Sequence, residues 1–170
     1  EHVMAALAGC GVHNALVDVS GPEVPILDGS SAPFVSAILS AGLQVCDAPL
    51  RALRVRSPIE VRKGDAWARL VPHDHLEIGF EIDFPDAAIG RQKRDMSVAK
   101  GAFVRELGDS RTFCRRADVG AMRAAGKGRG GSLRNAVVVE GDQVLSPGGL
   151  RHADEPVRHK MLDALGDLAL

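Results

Sequence analysis

The run Asp154-Glu155-Pro156-Val157-Arg158-His159-Lys160-Met161-Leu162-Asp163-Ala164-Leu165-Gly166-Asp167-Leu168 constrains this chain more than any other. Asp154 can cap a helix and Pro156 suits its first turn. At 3.6 residues per turn, Val157, Met161, Ala164, Leu165 and Leu168 form one apolar stripe, while His159, Asp163 and Asp167 fall at i, i+4 and i+8 roughly opposite. One face is expected to pack and the other to present an imidazole and two carboxylates. An imidazole and a carboxylate four apart have Cβ atoms about 5–6 Å apart and can share a metal ion, but the same spacing also serves a solvated ion pair. A metal centre therefore needs a second source of ligands elsewhere in the chain.

The chain has 170 residues, enough to bury roughly 70% of its unfolded surface in one large or two small domains. Its 21 Lys and Arg against 22 Asp and Glu leave a net charge of −1, which argues against wholesale binding to nucleic acid or a membrane surface. No apolar run reaches the roughly 18 residues of a membrane span, and the start lacks the basic-then-apolar pattern of a signal peptide. Cys10, Cys46 and Cys114 are odd in number and form no C-x-x-C pair, which fits a reducing cytoplasm. The first residues resemble the middle of a helix and the last an uncapped apolar helix, so the expectation is a piece of something longer, short at both ends.

In chain order, Glu1 to Gly9 is predicted helical, with an acid beside a histidine. Asn14 to Val19 is predicted as a strand, Leu27 to Ser30 as a turn in which Asp28 serves turn chemistry rather than a ligand, and Ser31 as the start of a helix stopped by Gly42. The pattern lapses near Asp47, which places a domain boundary between 1–48 and 49–170. Short strands are predicted at Arg51 to Val55, Ile59 to Arg62 and Ala66 to Val71, with Lys63-Gly64-Asp65 as a hairpin turn. Leu76, Ile78, Phe80, Ile82 and Phe84 then alternate with polar residues or glycine, the mark of a strand with one buried face. His73 and His75 flank this region in a Pro-containing turn, where a loop role is expected rather than a metal site. Ser97 is predicted to cap a helix reaching about Leu107, Arg111 to Cys114 to be extended, and Asn135 to Glu140 and Gln143 to Leu145 to form a hairpin. His13 and His152 are expected in surface or loop positions.

A catalytic zinc usually keeps three protein ligands, often two histidines and a carboxylate, and leaves a position for water whose pKa it lowers. His2, His159 and Asp163 would supply that triad, with Glu1 as the base; the same ligands also suit Fe2+. A competing possibility is a phosphate- or RNA-binding module using the basic patch of Arg115, Arg116, Arg123, Lys127 and Arg129, although Phe113 is the one aromatic nearby for base stacking.

The chain resembles the zinc-dependent UDP-3-O-acyl-N-acetylglucosamine deacetylases of lipid A biosynthesis. The resemblance is carried by Glu1-His2 followed by Met4 to Gly9, Pro22 to Ser30 leading to Pro33-Phe34, Ile82-Asp83-Phe84, Arg111-Thr112-Phe113, Gly130-Gly131-Ser132, and Val157 to Asp167. It implies an α+β fold of two layered β-α-α-β sandwich domains, the N-terminal one incomplete here, with the active site between them. It further implies removal of the N-acetyl group from a UDP-sugar lipid precursor, the committed step of the pathway, by a cytoplasmic enzyme expected to be a monomer without nucleic-acid partners.

By the same resemblance His2, His159 and Asp163 hold Zn2+, Glu1 is the general base, and Thr112 hydrogen-bonds the developing oxyanion. Asp83, Phe84 and Lys160 contact substrate, and Asp167 orients the family's general-acid histidine. The segment carrying that histidine is missing, so this piece alone is expected to have little or no activity. Ala66 stands where the family commonly has a basic residue, and Lys127 and Arg129 where it places apolar residues lining an acyl passage. Those two charges are expected to reach water, since burying them would be costly.

Overall fold

The computed structural model describes residues 1–99 and 101–169; Lys100 and Leu170 lie outside the described residues. In chain order the elements are helices α1 (His2–Gly9) and α2 (Ala32–Ala41), strands β1 (Ile59–Lys63), β2 (Ala66–Leu70), β3 (Glu77–Asp83) and β4 (Arg91–Ser97), then helix α3 (Ala102–Glu106) and strand β5 (Phe113–Arg115). A 3-10 turn at Arg116–Asp118 leads into α4 (Val119–Ala124), followed by β6 (Val137–Glu140), β7 (Gln143–Val144) and α5 (Glu155–Leu168). The fold is mixed α+β with small sheets: β1 with β2, β3 with β4, and β5-β6-β7, in which β5 is parallel to β6 and β7 antiparallel to it.

Local chemistry explains the hairpins. Lys63 pairs with Ala66 across a two-residue turn, and Gly64 at φ +61° supplies the conformation that a side chain resists. Along β3, Ile78, Phe80 and Ile82 turn inward while Glu77, Glu81 and Asp83 stay exposed, as the alternation predicts. Its partner β4 has no such pattern, because its inward positions are Gln92, Arg94 and Met96. Gln92 accepts a hydrogen bond from the Val157 N–H at 3.1 Å, and Arg94 donates to Asp154 and Glu106 at 2.9 and 2.7 Å. Polar side chains with fixed partners here occupy a face that apolar ones usually fill.

Several expectations are corrected. Ser97 ends β4 instead of capping a helix, and the helical turn begins only at Ala102. Asn14 to Val19 and Arg51 to Val55 form no strand, since neither has a partner among the described residues, and Leu16 and Leu53 stand almost fully exposed. A strand without a neighbour leaves its backbone groups to water. Asp154 occupies the cap position of α5 but makes no capping bond; its carboxylate is taken by Arg158 at 2.6 Å and Arg94 at 2.9 Å.

The last helix is also not two-sided. His159 and Leu162 are buried along with Val157, Met161 and Leu165, whereas Leu168 is exposed. The helix is covered on the histidine side by α1, which lies against it. Ala5, Ala6, Val35, Phe103, Leu107, Met161, Leu162 and Leu165 make the core between α1, α2, α3 and α5, each large side chain contributing on the order of 1.5–3 kcal/mol. A second cluster of Ile82, Ile89, Val137, Val139 and Val157 joins the strands to the start of α5. Gly9 passes so close to Phe103 that an added β-carbon would meet the ring at 2.0 Å.

Candidate metal centre

The start of α1 and the middle of α5 bring three ligand atoms together. His2, His159 and Asp163 each offer one such atom, all within 4.8 Å of one another. His159 Nε2 lies 3.3 Å from Asp163 Oδ1, and His2 Nε2 lies 3.9 Å from the same oxygen. The two imidazoles meet edge to face with centroids 4.9 Å apart. Convergence of two histidines and a carboxylate on one point is the donor set of a catalytic zinc site.

The protonation states suit that donor set. His159 Nδ1 sits 2.9 Å from the Ser110 carbonyl oxygen; a carbonyl only accepts, so Nδ1 carries the hydrogen and Nε2 keeps the lone pair aimed at the cluster. Burial lowers the His159 pKa to about 4, against the opposing pull of the Asp163 carboxylate. Burial likewise lowers His2, with Asp163 again opposing. Both rings are neutral near pH 7, the form that binds metal.

Neighbouring groups fix this geometry. Ser31 Oγ donates to the His2 carbonyl at 2.7 Å. The segment bearing Ser110 is tied to α5 by a buried ion pair: Arg111 N–H and Nε donate to Glu155 Oε1 at 2.9 and 2.8 Å, and Nη2 to Oε2 at 3.0 Å. Burial would raise the Glu155 pKa, yet the hydrogen bonds from Arg111 and from the Arg151 N–H hold it below the usual carboxylate range. The sequence marked Ser31 as a helix start and Arg111 as part of a motif, but gave Ser31, Arg111 and Glu155 no part in holding the metal cluster. The bidentate match of guanidinium to carboxylate is visible only when residues 44 apart meet.

The other predicted residues are placed as follows. Glu1 is exposed and lines an open cleft of about 360 Å³ with His2, Glu23, Ile26 and Phe34. Thr112 donates its N–H to the Gly29 carbonyl at 2.7 Å and lies between Ser110, whose carbonyl meets His159 Nδ1, and Phe113, whose ring faces the His159 ring. Phe84 stacks edge to face on Phe113 at 5.3 Å, and Phe113 lies 6.4 Å from the His159 ring. Phe113 thus links Phe84 to the cluster, a part the sequence did not assign it. Lys160 Nζ donates to Asp163 Oδ2 at 2.7 Å and stands 5.6 Å from the Phe113 ring centroid.

Two predicted residues stand apart: Asp83 is exposed at the end of β3, and Asp167 is exposed on α5 with no hydrogen bond or ion pair among the described residues. Asp28 serves its turn, accepting from Ser30 N–H and Oγ and from Arg151. His152 is tied to Asp109 at 2.8 Å. In the basic patch Arg115 is paired with Asp86, while Arg116, Arg123, Lys127 and Arg129 are exposed. Ala66 is exposed on β2.

Comparison with known proteins bears on this arrangement. The profile of the UDP-3-O-acyl N-acetylglycosamine deacetylase (LpxC) family matches residues 1–170. The chain belongs to this deacetylase family. A relative from Phenylobacterium zucineum is 51% identical over 168 residues, 99% of this chain and 57% of the relative. One from Anaeromyxobacter sp. (strain Fw109-5) is 49% identical over 170 residues, covering 100% of this chain and 56% of the relative. One from Methylococcus capsulatus is 45% identical over 172 residues, covering 100% and 57%. All three are named UDP-3-O-acyl-N-acetylglucosamine deacetylase. The chain spans just over half the length of these deacetylases. No helix among its described residues is long and apolar enough to cross a membrane.

Proposed function

We propose that this chain supplies the metal centre of a zinc-dependent hydrolase that removes the N-acetyl group from UDP-3-O-(3-hydroxyacyl)-N-acetylglucosamine, the committed step of lipid A biosynthesis, in the cytoplasm. The observation that carries the proposal is the convergence of His2, His159 and Asp163, with neutral imidazole nitrogens turned to one point, in a chain of the deacetylase family. These three residues would hold the metal; Zn2+ is proposed over Fe2+ for a hydrolytic reaction. When bound, the ion would polarise the amide carbonyl and make water acidic enough to react near neutral pH.

The chain's own residues would do the rest. Glu1, beside His2 on the cleft, would take the proton of the attacking water at its carboxylate. Thr112 would donate its hydroxyl to the carbonyl oxygen as that atom gains charge, help worth a few kcal/mol. Phe84 would present a ring to the substrate, steadied by Phe113. Asp83 and Lys160 would contact the nucleotide end of the substrate, Lys160 holding Asp163 Oδ2 while Oδ1 faces the two histidines. Asp167 would orient a general-acid histidine. With a boundary between 1–48 and 49–170, His2 would come from the first part and His159 with Asp163 from the second, so that both parts would hold the metal.

Zinc analysis after chelation and reloading tests the centre. Asp163→Ala is expected to lower the zinc content by one equivalent, whereas Glu1→Gln keeps it. Because this chain alone is expected to turn over little or not at all, acetate release from the acylated UDP-sugar is measured in a protein of the relatives' full length carrying the same substitutions, where it should fall about 100-fold or more in either variant, as for loss of a metal ligand or general base. Zinc content unchanged by Asp163→Ala, or acetate release unchanged in both variants, would overturn the proposal.

A further inference from the structure

His73 and His75 take no part in the proposed hydrolase chemistry, yet they do not behave as unrelated loop residues. The chain leaves β2, passes Pro72 and enters a different sheet at Glu77, the first residue of β3, which is held opposite Ser97 on β4. His73 Nδ1 lies 3.1 Å from the His75 carbonyl oxygen. In the tautomer with the hydrogen on Nδ1 the ring donates to that oxygen and Nε2 keeps its lone pair; the His75 N–H also lies 3.4 Å from Nδ1, and metal binding at Nε2 selects the first arrangement. A backbone carbonyl orienting one ring nitrogen while the other stays open is the usual support of a metal-binding histidine.

Both open nitrogens converge on one carboxylate oxygen. His73 Nε2 lies 3.6 Å and His75 Nε2 3.7 Å from Glu77 Oε2, and all three ligand atoms fall within 4.8 Å of one another. Two donors on one tetrahedral zinc, each at about 2.0–2.1 Å, stand about 3.3 Å apart, so each imidazole is within a few tenths of an ångström of the spacing to the carboxylate that a shared ion needs, and the imidazole nitrogens, within 4.8 Å of one another, would close by side-chain rotation. The rings stand edge to face, 84° apart. The two histidines are the ion-pair partners of Glu77 among the described residues, so no Lys or Arg there neutralises its charge. The three side chains are 44%, 50% and 46% exposed, which gives an ion and its waters access.

This cluster is separate from the first. Asp83 and Phe84 lie at the far end of β3, about 20 Å away at 3.4 Å per residue. We propose that His73 Nε2, His75 Nε2 and the Glu77 carboxylate form a second metal site, for one first-row transition-metal cation of the Zn2+, Ni2+ and Cu2+ class, with water in the remaining positions. Imidazole with one carboxylate selects that class over Mg2+ and Ca2+, which prefer all-oxygen shells. Occupancy fastens the loop between β2 and β3 to the edge of β3.

The test is calorimetric titration of Zn2+ into the full chain after chelator treatment, with Asp163→Asn present to silence the interior cluster. The same titration is run with His73→Asn and His75→Asn added, and circular dichroism checks that both proteins are folded. The expected result is one Zn2+ bound by the first protein and affinity weaker by about tenfold or more in the second, the usual scale for losing metal contacts. Equal affinity and stoichiometry in the two overturns the site. Should Asp163→Asn unfold the chain, the unsubstituted protein is compared with His73→Asn/His75→Asn: a difference of one bound Zn2+ supports the site and no difference overturns it.

Discussion

Gly166 on α5 lies against the backbone of Glu1, so closely that a β-carbon at position 166 would stand 2.3 Å from the Glu1 carbonyl oxygen and 3.1 Å from the Ala5 nitrogen. The absence of a side chain there lets α1 approach α5, and that approach brings His2 to Asp163. In an open helix interior, Gly→Ala is favourable by about 1 kcal/mol. Here Gly166→Ala should instead destabilise the chain by about 1–3 kcal/mol, as overpacking does, and weaken zinc binding at the His2 cluster. Urea unfolding and zinc titration check both effects; higher stability with unchanged zinc affinity would show that the helices do not need this contact.

Metal-free protein should lose stability in mild acid. Burial lowers the His159 pKa to about 4 and lowers His2 as well, whereas each titrates near 6.5 in the unfolded chain. Between those values the unfolded state binds more protons, so stability is fully present above about 6.5 and is lost as pH falls towards about 4. His159 alone accounts for on the order of 3 kcal/mol across this window. The carboxylates of Glu155, Asp154 and Asp28 are held below their ordinary values, so their contribution is lost only at still lower pH. Denaturant unfolding across the range, repeated with His159→Asn, measures the slope; identical slopes in the two proteins would contradict it.

The Arg111–Glu155 pair is buried at both ends. Glu155→Gln leaves a guanidinium inside without its counter-charge, which should cost about 3–5 kcal/mol, while Arg111→Met with Glu155→Leu should recover much of that loss. A double-mutant cycle by chemical denaturation decides the matter. A loss below about 1 kcal/mol for Glu155→Gln would place the pair among weak surface bridges. Because Arg111 neighbours Ser110, the same variant should also weaken zinc binding at His159.

Gly29 has φ +87°, and a β-carbon there would lie 1.8 Å from the Asn135 carbonyl oxygen. Its own carbonyl accepts the Thr112 N–H at 2.7 Å. Gly29→Ala should lose at least about 1–2 kcal/mol from left-handed strain alone, and the Thr112 amide should exchange faster with solvent. Thermal unfolding and hydrogen exchange would reveal it, and an unchanged Thr112 amide would separate that residue's position from Gly29.

The sequence by itself determined the local elements whose patterns repeat within a few residues. The four-residue spacing of His159 and Asp163 placed them on one face of α5, the alternation from Ile78 to Ile82 marked β3, and Lys63-Gly64-Asp65 marked the turn between β1 and β2. The family motifs also named His2 as the third member of the cluster. Tertiary structure alone decided the rest. It buried His159, gave the inward, half-buried Gln92 and Arg94 of β4 fixed hydrogen-bond partners, and paired Arg111 with Glu155 across 44 positions. It also turned His73 and His75 towards one oxygen of Glu77. The physical reason is that periodicity reports which face of an element is apolar, whereas a polar residue's fate depends on which partner another element brings within hydrogen-bonding reach. Leu16 and Leu53 show the same rule from the other side: the stretches predicted as strands formed none and left these side chains exposed, because no neighbouring strand among the described residues came alongside.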